Sequence, residues 1–280
     1  MISMLAPAKV NLYLHVVGKR TDGYHLLDSL FVFADYGDKI TIEPDDHLSL
    51  TILNSDLSCG EDNIIIKATR KLADFLGKEP NVQIVLEKNL PIASGIGGGS
   101  TDAAATLLGL IQLWQVQIEK TDLMKIALEL GADVPSCIEK IPVQVSGIGE
   151  KLAPAPAVPK LPMILVNPNK PVSTPMIFKT RAPVFSEAMP FVEPVKEIDE
   201  FIDELKKRHN DLQPTACQIE PAVQDVLNEL FACPLTLFNQ MSGSGGTCFG
   251  LFKTSIDAEK TADLIKSRHP DWWVQTTKMI

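Results

Sequence analysis

The chain of 280 residues is 45% hydrophobic and 22% charged, which is ordinary for a globular protein with one large domain or two modest ones. Its formal net charge of −9 disfavours a broad nucleic-acid-binding surface. The sequence contains no apolar run of about 18 residues and no basic segment followed by a long apolar core at its start, so we expect a cytoplasmic protein without a membrane span or a signal peptide.

The first part of the chain alternates between strand-like and helix-like patterns. Apolar and polar residues that alternate, with many β-branched and aromatic side chains, predict four strands, at residues 9–17, 28–44, 47–53 and 81–89. Asp22-Gly23 predicts a turn after the first strand. Before the fourth strand, a helical period predicts a helix over residues 63–77, with Gly77 as its stop.

A glycine-rich stretch leads from these elements into two further helices. Residues 100–114 are rich in alanine and leucine and predict a buried helix, for which Ser100 or Thr101 is a suitable N-cap. The next segment with helical periodicity predicts another helix, which Gly131 closes. Pro135 is expected to end any continuation of it.

Prolines become dense between residues 153 and 175, and this change of composition is the best candidate for a domain junction. The second half predicts three helices, at residues 195–209, 220–231 and 255–268. It also predicts four strands, at residues 163–166, 235–240, 247–252 and 272–278. The sequence therefore predicts an α+β protein with one domain over residues 1–153 and a second over residues 154–280.

The cysteines do not form a recognisable framework. The five residues are scattered and show no C-x-x-C spacing: Cys59, Cys137, Cys217, Cys233 and Cys248. An odd number without metal-ligand spacing favours reduced thiols over disulfides or a zinc site. No residue set is therefore predicted to form a protein metal site.

Four glycines in five residues, from Gly95 to Gly99, stand directly before a predicted helix. The first amides of a helix have no intrahelical partner and the helix dipole is positive there, so glycines at this point let an anion approach the backbone. The Gly-Lys-Ser/Thr ending of a P-loop is absent, and Ser100 fills the sixth place of a dinucleotide fingerprint. The segment predicts either a phosphate site of another type or a tight strand-to-helix turn.

Two charged residues are candidates for phosphoryl transfer, which needs neutralisation of phosphate charge and a group that orients or deprotonates the attacking hydroxyl. Lys9 lies in an otherwise apolar run, where a charge without a partner is unfavourable. Asp133 lies between Gly131 and Pro135 at a helix end. An ion pair between them would keep Asp133 ionised and able to accept a proton, whereas separately they are typical of a surface lysine and a turn aspartate.

Three segments together resemble the GHMP kinases: APAKVNLYL at residues 6–14, PIASGIGGGSTDAAA at residues 91–105 and MSGSGGTCFGLF at residues 241–252. Within that family, residues 6–31 and 129–137 resemble a member that acts on a cytidine diphosphate ester of a polyol. The resemblance implies a two-domain α+β fold, with an N-terminal domain like domain 2 of ribosomal protein S5 and a ferredoxin-like C-terminal domain. It places the active site in the cleft between those domains.

The resemblance also implies the ligands and the residues that hold them. ATP is the implied co-substrate, with Mg²⁺, and CDP-methylerythritol is the implied acceptor; no nucleic acid or membrane partner is expected, and the chain is expected to be a monomer or a weak homodimer. The implied catalytic pair, acting on the 2-hydroxyl of the erythritol part, is Lys9 and Asp133. The implied ATP-binding residues are Pro91, Ile92, Ala93, Ser94, Gly95, Ile96, Gly97, Gly98, Gly99, Ser100 and Thr101, with Asn63 and Lys88 at the adenosine. The implied substrate-binding residues are Asn11, Tyr24, His25, Phe178, Lys179 and Gly245.

Three other functions stay open at this point. A kinase of the homoserine or mevalonate type is disfavoured by the segment at residues 22–25, DGYH, which matches the cytidyl-substrate member. A non-catalytic regulator that binds ligands on the same fold is disfavoured because both Lys9 and Asp133 are present, and a sensor does not need a general base. A nicotinamide-dependent oxidoreductase is disfavoured by the glycine spacing.

Overall fold

The computed structural model describes residues 1–280 and contains two β-sheets with helices packed on them. The strands in chain order are β1 Ile2–Lys19, β2 His25–Pro44, β3 Ser49–Leu53, β4 Val82–Glu87, β5 Val143–Gly147, β6 Lys151–Pro154, β7 Pro162–Asn167, β8 Phe238–Met241, β9 Cys248–Leu251 and β10 Trp273–Lys278. The helices are α1 Ile64–Leu76, α2 Gly98–Trp114, α3 Lys120–Leu130, α4 Val134–Glu139, α5 Thr174–Thr180, α6 Ile198–Lys206, α7 Gln213–Ile219, α8 Pro221–Ala232 and α9 Ser255–Arg268. None of these helices combines the length and the apolar character that crossing a membrane requires.

The chain divides into two compact units that interleave along the sequence. Unit 1 comprises Met1–Ala8, Tyr36–Leu90 and Gly97–Lys140, and unit 2 comprises Lys9–Asp35, Pro91–Ile96 and Ile141–Ile280. Strands β1 and β2 therefore contribute residues to both units. The boundary predicted between residues 153 and 154 lies inside unit 2, within β6. The compact units do not follow that boundary, and a division of the chain at that point stays a prediction.

The first sheet has six strands in the order β3-β4-β2-β5-β6, with β1 paired to β2. In unit 1, residues 39–44 of β2 pair antiparallel with β4, and β3 lies parallel to β4. A parallel pair requires a crossover connection, which α1 supplies here. In unit 2, residues 27–31 of β2 pair antiparallel with β5, which in turn pairs with β6.

Helices α1 and α2 contribute much of the apolar core of unit 1. Helix α1 begins after Asn63, whose side chain accepts a hydrogen bond from the amide of Ile65, and ends at Gly77 in the left-handed region, with φ of 63°. The predicted helix and its stop are confirmed. Alanine and leucine bury α2 on most of its faces, and Gly109 approaches β2 so closely that an added Cβ would lie 2.8 Å from Cδ1 of Ile42.

The start of α2 differs from the prediction. The N-cap position is held by Gly97, with φ of 67°, and not by Ser100 or Thr101. Thr101 lies inside the first turn, where its hydroxyl donates to the carbonyl oxygen of Gly98 at 3.0 Å. The helix thus includes two glycines that the sequence pattern assigns to the loop.

A short helix follows α3 where the sequence predicts a break. Gly131 ends α3 as expected, but Val134 and Pro135 begin α4. Proline is compatible with a first helical turn because the amide that it lacks would have no intrahelical partner there. Asp133 consequently occupies the N-cap position of α4.

The second sheet belongs to unit 2 and is antiparallel throughout, in the order β10-β7-β9-β8. Helices lie between β7 and β8 and again between β9 and β10 in the chain, which is the β-α-β-β-α-β arrangement of ferredoxin-like folds. Apolar residues from the strands, α8 and α9 form the core beneath this sheet, among them Ile164, Val226, Phe252 and Ile265. The predicted ferredoxin-like part of the fold is confirmed.

Besides α4, four further elements are absent from the sequence-based prediction: β5, β6, α5 and α7. The two strands have 5 and 4 residues and the two helices have 7 residues each. Segments this short carry too little periodicity to be recognised. Tertiary packing determines the two helices, since Ile177 of α5 and Ala216 of α7 are buried in the core of unit 2.

Candidate active site

The first half of the glycine loop, residues 91–96, packs with its backbone against the late glycine motif of unit 2. The amide of Thr247 donates to the carbonyl oxygen of Ser94, and the hydroxyl of Ser242 donates to that of Gly95, both at 3.0 Å. A Cβ added to Gly95 would lie 2.5 Å from the Ser242 carbonyl oxygen, and φ at Gly95 is 76°. Close backbone packing and a left-handed conformation therefore both require glycine at position 95.

The other predicted residues of this half differ in exposure. Ile92 is 54% exposed, and Ala93 is exposed with φ of 50°. Ile96 is buried, and its carbonyl oxygen accepts a hydrogen bond from the amide of Lys9 at 2.9 Å. Pro91 is half-buried at the beginning of the loop. Ile92 and Ala93 are thus accessible to a ligand, while Ile96 anchors the loop on β1.

The second half of the loop forms the N-terminus of α2 in unit 1. The amides of Gly98, Gly99 and Ser100 belong to the first turn, where helix geometry leaves amides without intrahelical acceptors. Gly99 is exposed, and a Cβ added there would meet no atom within 4 Å. Open space beside these amides, together with the positive end of the helix dipole, fits a phosphate group.

Lys88 follows β4 and is 8% exposed. Its ammonium group donates to Oδ2 of Asp102 at 3.1 Å and also pairs with the carboxylate of Asp38. Burial lowers the pKa of Lys88, but the two carboxylates outweigh burial and the net direction is upward. Lys88 therefore carries its positive charge inside unit 1.

Asn63, the other residue predicted at the adenosine, caps α1. Its Oδ1 accepts from the amide of Ile65 at 2.9 Å, and its Nδ2 donates to the carbonyl oxygen of Ser58 at 2.7 Å. A carboxamide has two donors and two acceptor positions. The half-buried side chain of Asn63 keeps one of each beyond these capping bonds.

Lys9 and Asn11 lie two residues apart on β1, inside unit 2. Lys9 is 4% exposed; its ammonium group donates to Oδ1 of Asn11 at 2.9 Å and lies 4.1 Å from the centroid of the Phe31 ring. Asn11 donates from Nδ2 to the hydroxyl of Ser29 at 2.9 Å and from its amide to the hydroxyl of Ser242 at 3.0 Å. These contacts hold a cation at a defined position.

Asp133 is half-buried in unit 1 at the N-cap position of α4. Its carbonyl oxygen accepts from the hydroxyl of Ser136 at 2.7 Å and from the amide of Cys137 at 3.3 Å. The first turn of α4 therefore fixes the backbone from which the carboxylate projects. Lys9 and Asp133 belong to different units, and their pairing stays a prediction.

His25 and Phe178 are in direct contact in unit 2. Their ring centroids are 5.1 Å apart and their planes make an angle of 29°. Rings at this separation already touch, so a nucleobase cannot lie between them and the pair forms one wall. Burial and the charges of Arg181 and Lys19 lower the pKa of His25, so the imidazole is neutral near pH 7.

The remaining predicted substrate residues lie in turns and on α5. Tyr24 is 60% exposed, and its amide donates to the carboxylate of Asp22 at 3.3 Å. Lys179 is exposed and follows Phe178 on α5. Gly245 has φ of 113°, which favours glycine in the late glycine motif. Of the six predicted substrate residues, His25 and Phe178 are thus the two that touch through their side chains.

Comparison with known proteins identifies the family. The model of the GHMP kinases N terminal domain matches residues 63–140, and that of the GHMP kinases C terminal domain matches residues 192–271. The chain is 46% identical to the 4-diphosphocytidyl-2-C-methyl-D-erythritol kinase of Paramagnetospirillum magneticum, over 99% of this chain and 98% of that protein. The chain belongs to the GHMP kinase family.

Two solved structures extend this finding. A crystal structure of 4-(cytidine 5'-diphospho)-2C-methyl-D-erythritol kinase matches with a TM-score of 0.83 and 30% identity, over 99% of this chain and 98% of the other. Homoserine kinase from Cytophaga hutchinsonii matches with a TM-score of 0.73 and 18% identity, over 100% of this chain and 94% of the other. The second likeness shows the fold alone. The predicted GHMP kinase fold is confirmed.

The fit of this GHMP kinase to a metal ion follows from its donor set. The structure contains no group of three or more His, Cys, Asp or Glu residues arranged to hold a metal. Mg²⁺ usually binds through substrate phosphates, a few waters and only one or two protein ligands. A magnesium ion that arrives bound to a nucleotide does not require such a group.

Several residues that contact the predicted site of this GHMP kinase are absent from the sequence-based prediction. They are Ser29, Phe31, Asp38, Asp102 and Ser242. Asp102 lies in the glycine-loop segment and Ser242 lies in the late glycine motif, so membership in these two motifs could have identified both residues from the sequence. The others are ordinary strand residues, whose contacts depend on which strands become neighbours.

Proposed function

We propose that this GHMP kinase transfers the γ-phosphoryl group of ATP to the 2-hydroxyl of 4-CDP-2-C-methyl-D-erythritol. The products are the 2-phosphate and ADP, in the non-mevalonate route to isoprenoid precursors. The observation that carries the proposal is the 46% identity, over 99% of the chain, to a relative named for this substrate. Identity below 20% to homoserine kinase, in spite of the shared fold, supports no transfer of that other activity.

Lys9 and Asp133 are the proposed catalytic pair. Asp133 would accept the proton of the 2-hydroxyl as that oxygen attacks the γ-phosphorus, and Lys9 would stabilise the negative charge on the reacting groups. The environment of Lys9 supports this role, because Asn11 and the Phe31 ring hold its ammonium group at a fixed position. A fixed cation needs little reorganisation when charge develops.

The glycine loop is the proposed phosphate site. The amides in the first turn of α2 are the donors, and the open space beside Gly99 gives access to them. Asn63 keeps hydrogen-bonding capacity for the adenine beyond its capping bonds. We propose that Mg²⁺ accompanies the ATP phosphates.

The cytidine is proposed to stack on the wall formed by His25 and Phe178. A neutral imidazole can both donate and accept hydrogen bonds, which suits the polar edge of cytosine. The exposed ring of Tyr24 and the ammonium group of Lys179 are the proposed contacts around this wall. The cytoplasmic location and the monomeric or weakly dimeric state expected from the sequence stay proposals.

A turnover assay tests the proposed function. ADP release is measured with the cytidyl-methylerythritol compound, with homoserine and with mevalonate, each in the presence of MgATP. We expect release with the cytidyl compound alone. Release with homoserine or mevalonate and none with the cytidyl compound would assign the enzyme to another branch of the family, and none with any of the three would favour a regulator.

Asp133→Asn serves as the matched variant in this assay. The amide keeps the shape of the side chain but cannot accept the hydroxyl proton, and general-base assistance is typically worth about 10²–10⁴-fold. We expect turnover to fall by that factor while calorimetric ADP affinity and the melting temperature stay close to wild type. Near-normal turnover would show that Asp133 is a turn residue only.

A further inference from the structure

A buried ion cluster lies against the first turn of α2 in unit 1. This Lys88 cluster consists of Lys88, Asp38 and Asp102, which are 8%, 0% and 3% exposed. The ammonium group bridges the two carboxylates. Burying three charges is unfavourable unless they pair with one another. Here the pairing ties β2 and the end of β4 to α2.

Asp38 connects the Lys88 cluster to the chain that enters the glycine loop. While its Oδ2 pairs with Lys88, its Oδ1 accepts from the amides of Asn89 at 2.6 Å and Leu90 at 2.8 Å. The side chain of Asn89 adds a bond to the carbonyl oxygen of Gly37 at 3.1 Å. One carboxylate thus fixes the last two residues before the loop.

Gly98 connects the Lys88 cluster to the other side of the loop. A Cβ added to Gly98 would lie 3.0 Å from Nζ of Lys88 and 3.6 Å from Oδ2 of Asp38. The ammonium group therefore lies against the backbone of the first residue of α2. The same backbone supplies one of the amides that fit a phosphate.

From this geometry we propose that Lys88 is a positioning residue for the ATP phosphates and does not contact the adenosine. Its side chain is directed into a buried bridge between Asp38 and Asp102, and the bridge holds both ends of the glycine loop together. The ammonium group also neutralises carboxylate charge directly behind the phosphate-binding amides, which would otherwise oppose the positive end of the helix dipole and repel a phosphate. This inference rests on the proposed binding of ATP at the loop.

The two carboxylates contribute unequally. Asp38 accepts from one ammonium group and two amides, whereas Asp102 accepts from Lys88 alone and its buried Oδ1 has no hydrogen-bond partner. Burial and the proximity of Asp38 raise the pKa of Asp102, against the opposing effect of Lys88. The proposal therefore requires Lys88 and Asp38, while the charge of Asp102 is dispensable.

Calorimetric titration of the full-length protein with adenosine and, separately, with ADP tests the proposal. For Lys88→Met we expect the ADP dissociation constant to rise by about tenfold or more, with that of adenosine unchanged within about twofold. For Asp102→Asn we expect both constants to stay within about threefold of wild type. If Lys88 contacts adenosine instead, both ligands weaken by the same factor in Lys88→Met, and that result overturns the proposal.

Two further variants keep the test decisive. Lys88→Met leaves two carboxylates buried without a cation, which could prevent folding. The double variant Lys88→Met/Asp102→Asn removes one of those two charges. Its dissociation constants for ADP and adenosine can be measured if the single variant does not fold. This double variant is expected to show the same selective loss of ADP affinity. Lys39→Met is the matched control. Lys39 on β2 pairs with Glu87 on β4, but half of the Lys39 side chain is exposed, so loss of this ion pair should have little effect.

The outcome is separable from that of the proposed function. Nucleotide binding is measured without any phosphate acceptor, so it does not depend on which acceptor the enzyme uses. An ADP affinity of Lys88→Met and of the double variant equal to that of Lys39→Met overturns the inference, whatever the turnover assay shows. A selective loss supports it even if the acceptor is another alcohol.

Discussion

Single residues of the candidate site differ in how far the sequence predicts them. The apolar run around Lys9 indicates that an ammonium group there is unfavourable without a partner. The structure buries Lys9 and gives it polar and aromatic contacts, so the alternative of a surface lysine is wrong. The same reasoning does not identify Phe31 or Ser242, which contact Lys9 and Asn11 from distant parts of the sequence. A residue pattern shows that a charge needs a partner, but the fold decides which partner it finds.

The wall formed by His25 and Phe178 permits a test in which stacking and polar recognition are separated. His25→Phe keeps an aromatic ring against Phe178 and removes the ring nitrogens, whereas His25→Ala removes both. Tyr24→Ala removes an exposed ring. Base stacking is worth about 1–3 kcal/mol, or about 5- to 150-fold. We expect the Michaelis constant for the acceptor to rise by that factor in both alanine variants and by less in His25→Phe.

The Michaelis constant for ATP is expected to change little in all three variants. Phe231→Ala is the control, since Phe231 is 82% exposed on α8 and has no proposed role. The pKa of His25 is lowered from the ordinary histidine value of about 6.5, so the imidazole stays largely neutral down to that pH. Acceptor affinity should therefore not fall as the pH decreases from about 8 to about 6.5. Loss of ATP affinity with intact acceptor affinity would place the pocket elsewhere.

At the scale of elements, long periodic segments are predicted well and their ends are not. Helices α1, α8 and α9 and the strands of the second sheet lie where the pattern places them. The start of α2 is misplaced because glycine is a poor helix former, by about 1 kcal/mol relative to alanine, so Gly98 and Gly99 look like loop. Two contacts extend the helix over these glycines. Gly98 packs against Lys88, which is a tertiary contact, and the hydroxyl of Thr101 donates to the carbonyl oxygen of Gly98, which is a local one.

Because α2 begins at Gly98, a substitution of Gly99 tests the phosphate site with less effect on stability than a substitution of Gly97. Gly97 has φ of 67°, so Gly97→Val strains the backbone and is expected to lose roughly 1–2 kcal/mol of stability in addition to ADP affinity. Gly99 is within the helix and an added Cβ meets no atom within 4 Å. For Gly99→Val we therefore expect an unchanged melting temperature and a large loss of calorimetric ADP affinity. Wild-type ADP affinity in Gly99→Val would mean that the phosphates do not approach this face of the helix.

At the scale of the whole molecule, fold class and family follow from the sequence, but the division into compact units does not. The second sheet is formed by strands from one continuous part of the chain, so order along the sequence predicts its ferredoxin-like arrangement. The first sheet is different, because β1 and β2 are long strands that contribute to both units. The change of composition near residue 153 marks a proline-rich connection. It does not reveal that two earlier strands, β1 and β2, contribute residues to both compact units.

Shared strands predict cooperative unfolding, which the cysteines report. Cys137 is buried in unit 1 and Cys248 is buried in unit 2. Without β1 and β2 neither unit keeps its part of the first sheet, so we expect both thiols to become reactive at the same urea concentration when labelling is resolved residue by residue by mass spectrometry. In the native protein, exposed Cys59 should react first and Cys217 more slowly, since burial raises the pKa of the Cys217 thiol and the thiolate is the reactive form. Two separate midpoints for Cys137 and Cys248 would show that the units unfold independently and that the shared strands do not couple them.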